Sequence, residues 1–267
     1  MNYWKYLKKP FFRRFRVKWE WNEAYGDISI WEKVEFQSKS GARLRGIYGA
    51  ALSKKVKGNI VCAHPMVVPA KGFFIRNGQA EMFRKNGFNI LLFDINGFGE
   101  SEDGDYNLPE DMFAAGKFMN EFSPRFKTGF YGVSFGGAMG VCGCAKEGQP
   151  YESAVFESAF TTLEEFWGRW LITKYWVKLG YVLFPKTMSE MRPIDKIKKI
   201  NSLKKILWVA GDSDKLIPVE MGNRFKNSSP VPSEYWIVPG AGHTQCYKTA
   251  PQEFETRVVK FFTDTLK

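Results

Sequence analysis

Phe130-Tyr131-Gly132-Val133-Ser134-Phe135-Gly136-Gly137-Ala138-Met139 holds a G-x-S-x-G pentapeptide at its centre. The apolar residues before it, Arg125–Tyr131, read as a buried strand, and the Gly/Ala-rich residues after it read as a helix. A serine hydroxyl is a poor nucleophile until a neighbouring base takes its proton, so it needs an exposed, sharply turned position. Gly132 and Gly136 lack Cβ atoms, which lets strand and helix approach closely while Ser134 occupies a strained tip. The helix N-terminus behind Ser134 also favours developing negative charge. Glycine-rich turns are common, so the pentapeptide draws its weight from the strand and helix around it.

Those neighbours belong to a longer alternation. Lys33–Ser38 and Arg43–Ala51 flank Ser40-Gly41 as a hairpin, and Gly58–His64 is a short apolar strand. Gly72–Asn86 reads as one helix stopped by Gly87, Phe88–Asp94 as a strand and Leu108–Glu121 as a helix. Tyr151–Glu157, Leu203–Ala210 and Glu234–Val238 are further strands, and Pro251–Leu266 closes the chain as an amphipathic helix. Apolar strands alternating with helices predict an α/β fold, a mostly parallel twisted sheet with helices on both faces. Ligands of such sheets bind beyond the carboxyl ends of the strands. His64, Ser134, Asp214 and His243 all follow strand ends, so one edge gathers the four. The segment Phe160–Met191 interrupts the alternation and mixes Trp167, Trp170, Tyr175, Trp176 and Tyr181 with Arg169, Lys174 and Lys178. It reads as a short helical cap, aromatics toward a pocket and charges toward water, or as two ordinary amphipathic helices. The resulting division is a basic arm over 1–30 and one domain over 31–267, with the cap inserted at about 160–191.

The chain has only two histidines, which narrows the choice of general base. His243 ends the turn Pro239-Gly240-Ala241-Gly242, after the last strand, where it can be aimed at Ser134. The carboxylate that orients it comes from Gly211-Asp212-Ser213-Asp214-Lys215-Leu216-Ile217-Pro218. Asp214 lies further out on this loop and is favoured, while Asp212 suits the turn itself through backbone hydrogen bonds. If neutral His243 is the base, kcat/KM rises through about pH 6–7 and then levels off. Cys246, three residues past His243, lacks a strand–turn–helix setting and reads as a packed thiol.

With Ser134, Asp214 and His243 in this chain order, the sequence resembles the α/β-hydrolase superfamily, in its short-capped serine esterase branch near the Bem46 and dipeptidyl-peptidase-like bacterial groups. The resemblance runs from about Glu35 to the C-terminus. Asp94-Ile95-Asn96-Gly97-Phe98-Gly99-Glu100-Ser101 is similar to the family's D-x-x-G-x-G-x-S loop. Phe184-Pro185 through Met191-Arg192-Pro193-Ile194-Asp195-Lys196-Ile197 is similar to its cap exit. The resemblance implies that His64 begins the oxyanion loop. Pro65 stands where the family has glycine and offers no N–H, so the implied oxyanion donors are the Met66 and Phe135 backbone amides. His64 then supports the loop and moves no proton.

These residues predict a serine hydrolase that cleaves carboxylic esters through an acyl-enzyme, with no cofactor and no metal. The same residues suit a thioesterase or an acyltransferase, and a non-catalytic hydrolase-fold binding protein is the rival of another class. The expected partner is a small-molecule ester or acyl substrate. Hydrophobic residues make up 44% of the 267 and aromatics 16%, which excludes a disordered or collagen-like chain. Four cysteines are too few for a disulfide scaffold and fit buried thiols in a reducing, cytoplasmic setting. The net charge is +11, and seven Lys or Arg face one Glu in the first 20 residues, interleaved with aromatics. This arm suits peripheral contact with an anionic membrane surface, or an arm that packs its rings on the domain and leaves its charges in water. Nucleic acid is not an expected partner, because more than half of the excess charge clusters in the arm and no binding motif accompanies it.

Overall fold

The computed structural model describes residues 6–9, 20–66 and 69–267. An eight-stranded sheet forms its centre: β1 (Trp31–Gln37), β2 (Arg43–Gly49), β3 (Gly58–Ala63), β4 (Phe88–Phe93), β5 (Thr128–Val133), β6 (Ser153–Glu157), β7 (Lys205–Gly211) and β8 (Ser233–Val238). Their spatial order is β1-β2-β4-β3-β5-β6-β7-β8. β1 and β2 form an antiparallel hairpin, and β2 pairs antiparallel with β4. From β4 to β8 every pairing is parallel.

All residues of β3, β4, β5 and β6 are buried, as expected of continuous apolar runs in a sheet covered on both faces. Successive side chains still alternate between two cores. Ile60 and Cys62 join Tyr131 and Val133 on one face, while Val61 and Ala63 join Phe130 and Phe156 on the other. The edge strand β8 shows the complementary pattern, with Trp236 and Val238 buried and Glu234 and Ile237 exposed. The chain leaves β3 for β4 on one side and returns to β5 on the other. The order therefore reverses between β3 and β5, the switch point beyond whose carboxyl ends sheets of this kind bind their ligands.

The covering helices are α1 (Gln79–Lys85), α2 (Leu108–Phe122), α3 (Phe135–Cys144), α4 (Leu163–Trp167), α5 (Leu171–Leu183), α6 (Pro185–Glu190), α7 (Val219–Ser228) and α8 (Pro251–Thr265). In α8 the buried Phe254, Val258, Phe261, Phe262 and Thr265 trace one helical stripe. All of α3 is buried, so Cys142 and Cys144 are packed thiols, as are Cys62 and Cys246.

Several local expectations are corrected. The single helix over Gly72–Asn86 is broken: a short turn, Phe73–Arg76, ends at Asn77-Gly78 before α1 begins. Gly78 adopts φ 86, and the Asn77 side-chain amide donates to the Phe73 carbonyl at 2.8 Å, which closes the first segment. The strand before Ser134, expected over Arg125–Tyr131, is β5, which begins at Thr128 and runs through Val133, since residues before it form a turn that returns the Phe126 N–H to the Ser123 carbonyl. Helix α7 was not expected from the sequence. The 160–191 segment forms three helices, α4 to α6, and its aromatics do not turn inward as a set: Trp170 and Tyr175 are 45% and 61% exposed.

Half of the basic arm, 1–5 and 10–19, lies outside the described residues, as do Val67 and Val68 after Met66. Within the arm, Lys9 pairs with Asp103 at 2.9 Å and Lys8 donates to the Asp105 carbonyl at 3.0 Å. Among the described residues no helix is long and apolar enough to cross a membrane.

Candidate active site

Ser134 links β5 to α3 with φ 51 and ψ −112, a region that non-glycine residues rarely occupy. Two backbone bonds hold it there. Its N–H donates to the Glu157 carbonyl at 2.8 Å, and its carbonyl accepts the Ala138 N–H at 2.9 Å. The glycine after next makes the turn possible: a Cβ on Gly136 would lie 2.2 Å from the Ala63 carbonyl oxygen and 2.6 Å from that of His64. α3 therefore begins directly against the end of β3, and the loop that starts at His64 lies beside the first turn of this helix.

His243 arrives on the turn after β8. Asp212 accepts the Gly240 N–H at 2.7 Å, bracing that turn, and Gly240 takes φ 72. His243 Nε2 lies 2.8 Å from Ser134 Oγ, and its Nδ1 lies 2.8 Å from Asp214 Oδ2. The Asp214 side chain is fully buried while that of His243 is 21% exposed. Asp214 Oδ1 accepts the Leu216 and Ile217 N–H groups, each at 2.8 Å. Burial alone would raise the Asp214 carboxyl, but hydrogen bonds from His243 and these amides override it and leave it below its ordinary value. An ionised, fixed carboxylate on Nδ1 holds the proton there and leaves Nε2 free to accept from Ser134. The line can carry a proton from hydroxyl to imidazole and stabilise the imidazolium that results.

His64 is fully buried, and its ring bridges two loops. Its Nδ1 lies 2.7 Å from the Pro65 carbonyl, and its Nε2 accepts the Ile95 N–H at 3.1 Å. The accepting Nε2 requires the proton on Nδ1, so the ring is neutral, in keeping with burial lowering its pKa. Met66 follows Pro65 and packs partly against the core. Phe135 is the first residue of α3, and its N–H precedes the first intrahelical bond. The Asp94 loop is a bracing device: Asp94 accepts from the Lys71 N–H, Lys71 Nζ and the Glu100 N–H at 3.0, 2.5 and 2.9 Å. Gly99, at φ 45, leaves room for that carboxylate, since a Cβ would lie 2.2 Å from it.

Sequence reasoning missed Glu157, the fully buried last residue of β6. It accepts the Tyr131 hydroxyl at 2.5 Å and the Cys246 N–H at 3.2 Å, and burial raises its carboxyl. It ties the segment after His243 to the sheet beneath Ser134. A carboxylate ending an otherwise apolar strand was the available signal. Cys246 is buried against this carboxylate, and burial followed by the Glu157 charge pushes its thiol far up, away from nucleophilic use. Among the described residues no group of three or more His, Cys, Asp or Glu is arranged to hold a metal ion.

Arg169, between α4 and α5, donates to the Lys215 and Leu216 carbonyls at 2.9 and 2.6 Å, which joins the α4–α5 segment to the loop carrying Asp214. Ring contacts also lead from the elbow to α4, through Phe135–Phe160 at 6.3 Å and Phe160–Phe166 at 4.9 Å.

Solved structures share this architecture. The Pyrococcus furiosus esterase Pf2001 superposes with a TM-score of 0.73 at 21% identity, covering 96% of this chain and 98% of that one. The Pyrococcus horikoshii acylaminoacyl peptidase matches with a TM-score of 0.64 at 14% identity, over 89% of this chain and 42% of that one. By sequence, the uncharacterized protein Rv2307c of Mycobacterium tuberculosis is 28% identical over 189 residues, which is 67% of this chain and 61% of that relative. The family model for the prolyl oligopeptidase family matches residues 79–267, which include Ser134, Asp214 and His243 and exclude the His64 loop. The chain belongs to the prolyl oligopeptidase family, and its fold is that of these solved structures.

Proposed function

We propose that this protein is a serine hydrolase that cleaves carboxylic esters through an acyl-enzyme. The observation that carries the proposal is the continuous line from Ser134 Oγ to His243 Nε2 and from His243 Nδ1 to Asp214, each step 2.8 Å, on a positive-φ elbow. Ser134 attacks the ester carbonyl as its proton passes to His243. Asp214 keeps the imidazole in the accepting tautomer and stabilises its charged form. The Phe135 and Met66 amides hold the developing oxyanion, at the positive end of α3. The protonated His243 then gives its proton to the leaving alkoxide, and the alcohol departs. Water attacks the acyl-enzyme with His243 again as base, releasing the acid and restoring Ser134. No cofactor enters these steps.

The family's name and the likeness to an acylaminoacyl peptidase favour a second reading, in which the acyl donor is a peptide. The residues and steps are the same, with an amine leaving instead of an alcohol. Thioester cleavage and acyl transfer also run on the same groups.

Fluorophosphonate labelling followed by intact mass tests the nucleophile without choosing a substrate. One adduct is expected on the wild type, none on Ser134→Ala, and labelling slowed by at least about a thousandfold on His243→Ala. An adduct that persists on Ser134→Ala would overturn the assignment. Matched aryl ester, thioester and acyl-peptide substrates then distinguish the leaving groups.

A further inference from the structure

Helix α5 presents an apolar face to solvent. Projected at about 100° per residue, Leu171, Ile172, Tyr175, Leu179, Val182 and Leu183 share an arc of about 120°. Their exposures are 70%, 73%, 61%, 44%, 76% and 47%. The helix rests on the protein through the opposite arc: Gly180, its only buried residue, faces Met188, and Val177 and Tyr181 pack partly against the core. Lys174 and Lys178 project along one border of the apolar arc, and the Lys178 ammonium lies 5.9 Å from the Tyr175 ring centre. No acidic residue occurs between Glu165 and Glu190, whereas Arg169, Lys174, Lys178 and Lys186 all fall in that interval.

We propose that α5 is a docking surface for an anionic lipid bilayer, lying in the plane of the interface with its apolar arc among the acyl chains and Lys174 and Lys178 on the headgroups. An apolar arc with lysines along one border and an aromatic beside them is a distribution by which a helix lies about 5–10 Å into an interface. Charge complementarity selects this occupant. A second copy of the chain would bring the same lysines together without an acidic partner on the helix, whereas acidic headgroups supply the missing counter-charge. Through the Arg169 bonds to the Lys215 and Leu216 carbonyls, the docked surface is continuous with the Asp214 loop, so docking sets the candidate site against the bilayer. The inference does not depend on hydrolysis.

The test is co-sedimentation of the full chain, carrying Ser134→Ala so that turnover plays no part, with sucrose-loaded vesicles. One set is pure phosphatidylcholine and the other about three parts phosphatidylcholine to one of phosphatidylglycerol. Binding to the anionic set is expected, weakened at least about a hundredfold by Leu171→Ser/Ile172→Ser/Val182→Ser. Lys174→Gln/Lys178→Gln should lower binding to the anionic vesicles about thirtyfold and leave the neutral ones unchanged. All substitutions are on exposed side chains, and an unaltered melting profile verifies folding. Undiminished binding of the triple variant would overturn the proposal and assign docking to the basic arm. Undetectable vesicle binding with a dimer that the triple variant dissociates would overturn it too, in favour of self-association.

Discussion

Replacing Asp214 by Asn separates the proposed chemistry from the fold. Asp214 Oδ1 accepts two backbone amides, from Leu216 and Ile217, each at 2.8 Å. An asparagine must therefore keep its carbonyl oxygen there, because its NH2 group cannot accept from either. Its NH2 then faces His243 Nδ1 in place of the Oδ2 that now lies 2.8 Å away. A donor on that side forces Nδ1 to accept, so the imidazole proton moves to Nε2 and points at Ser134 Oγ. The base can no longer take the hydroxyl proton. For a Ser-His-Asp arrangement the wrong tautomer costs about 10⁴ in rate, or about 5.4 kcal/mol of barrier. Both amides remain satisfied, so stability should fall by only about 1 kcal/mol, a shift of about 2–4 °C in Tm. The assay is the time course of fluorophosphonate adduct formation by intact mass, with a thermal melt on the same sample. Asp212→Asn is the comparison: its carbonyl oxygen can still accept the Gly240 N–H, so its labelling rate should stay within about threefold of the wild type. Well-folded Asp214→Asn that labels within tenfold of the wild-type rate, or an Asp212→Asn more damaged than Asp214→Asn, would sink the tautomer account.

Two further substitutions test the fold around the site. Gly136→Ala would place a Cβ 2.2 Å from the Ala63 carbonyl oxygen, a backbone atom with no room to yield, and should cost at least about 3 kcal/mol in denaturant unfolding. Gly242→Ala meets only the end of the flexible Gln245 side chain at 3.2 Å and should cost under about 1 kcal/mol; equal losses would refute the packing argument. Asp111, buried with Asn96 and Ser40 donating to it, has its carboxyl pushed up to about 6, by burial first. A carboxyl raised on folding contributes stability that is present below the unfolded value and lost as pH rises through about 6. Asp214 is lowered, so its contribution has the opposite sign, present above the unfolded value and lost as pH falls through the folded one. Between about pH 4.5 and 7 the wild type should therefore lose about 2 kcal/mol relative to Asp111→Asn, and a difference constant with pH would contradict the assignment.

Much of the fold was legible because it follows local rules. Continuous apolar runs such as Gly58–Ala63 can only be buried on both faces, and the G-x-S-x-G turn needs its glycines wherever it occurs. The preference for Asp214 over Asp212 rested on loop position. In the structure Asp214 reaches His243 while Asp212 holds Gly240. The broken helix before β4 was missed because the apolar period continues across Asn77-Gly78, and only the backbone at φ 86 ends it. The inward-facing cap aromatics were also an error of this kind. A helical period places Leu171, Tyr175 and Val182 on one face but does not say whether that face meets protein or water.

The sequence alone determined the alternation, the elbow and a choice of base limited to two histidines, since these depend on residue type, period and nearest neighbours. The tertiary structure decided everything that depends on closing long loops. It brought Ser134 and His243, 109 residues apart, to 2.8 Å, and it set Glu157 beneath them with Tyr131 and Cys246 as its partners. It also buried Lys71 with Asp94 and turned the apolar face of α5 outward. Spacing along the chain carries no information about which distant groups meet, because that is set by how the strands order in the sheet and which faces the helices cover.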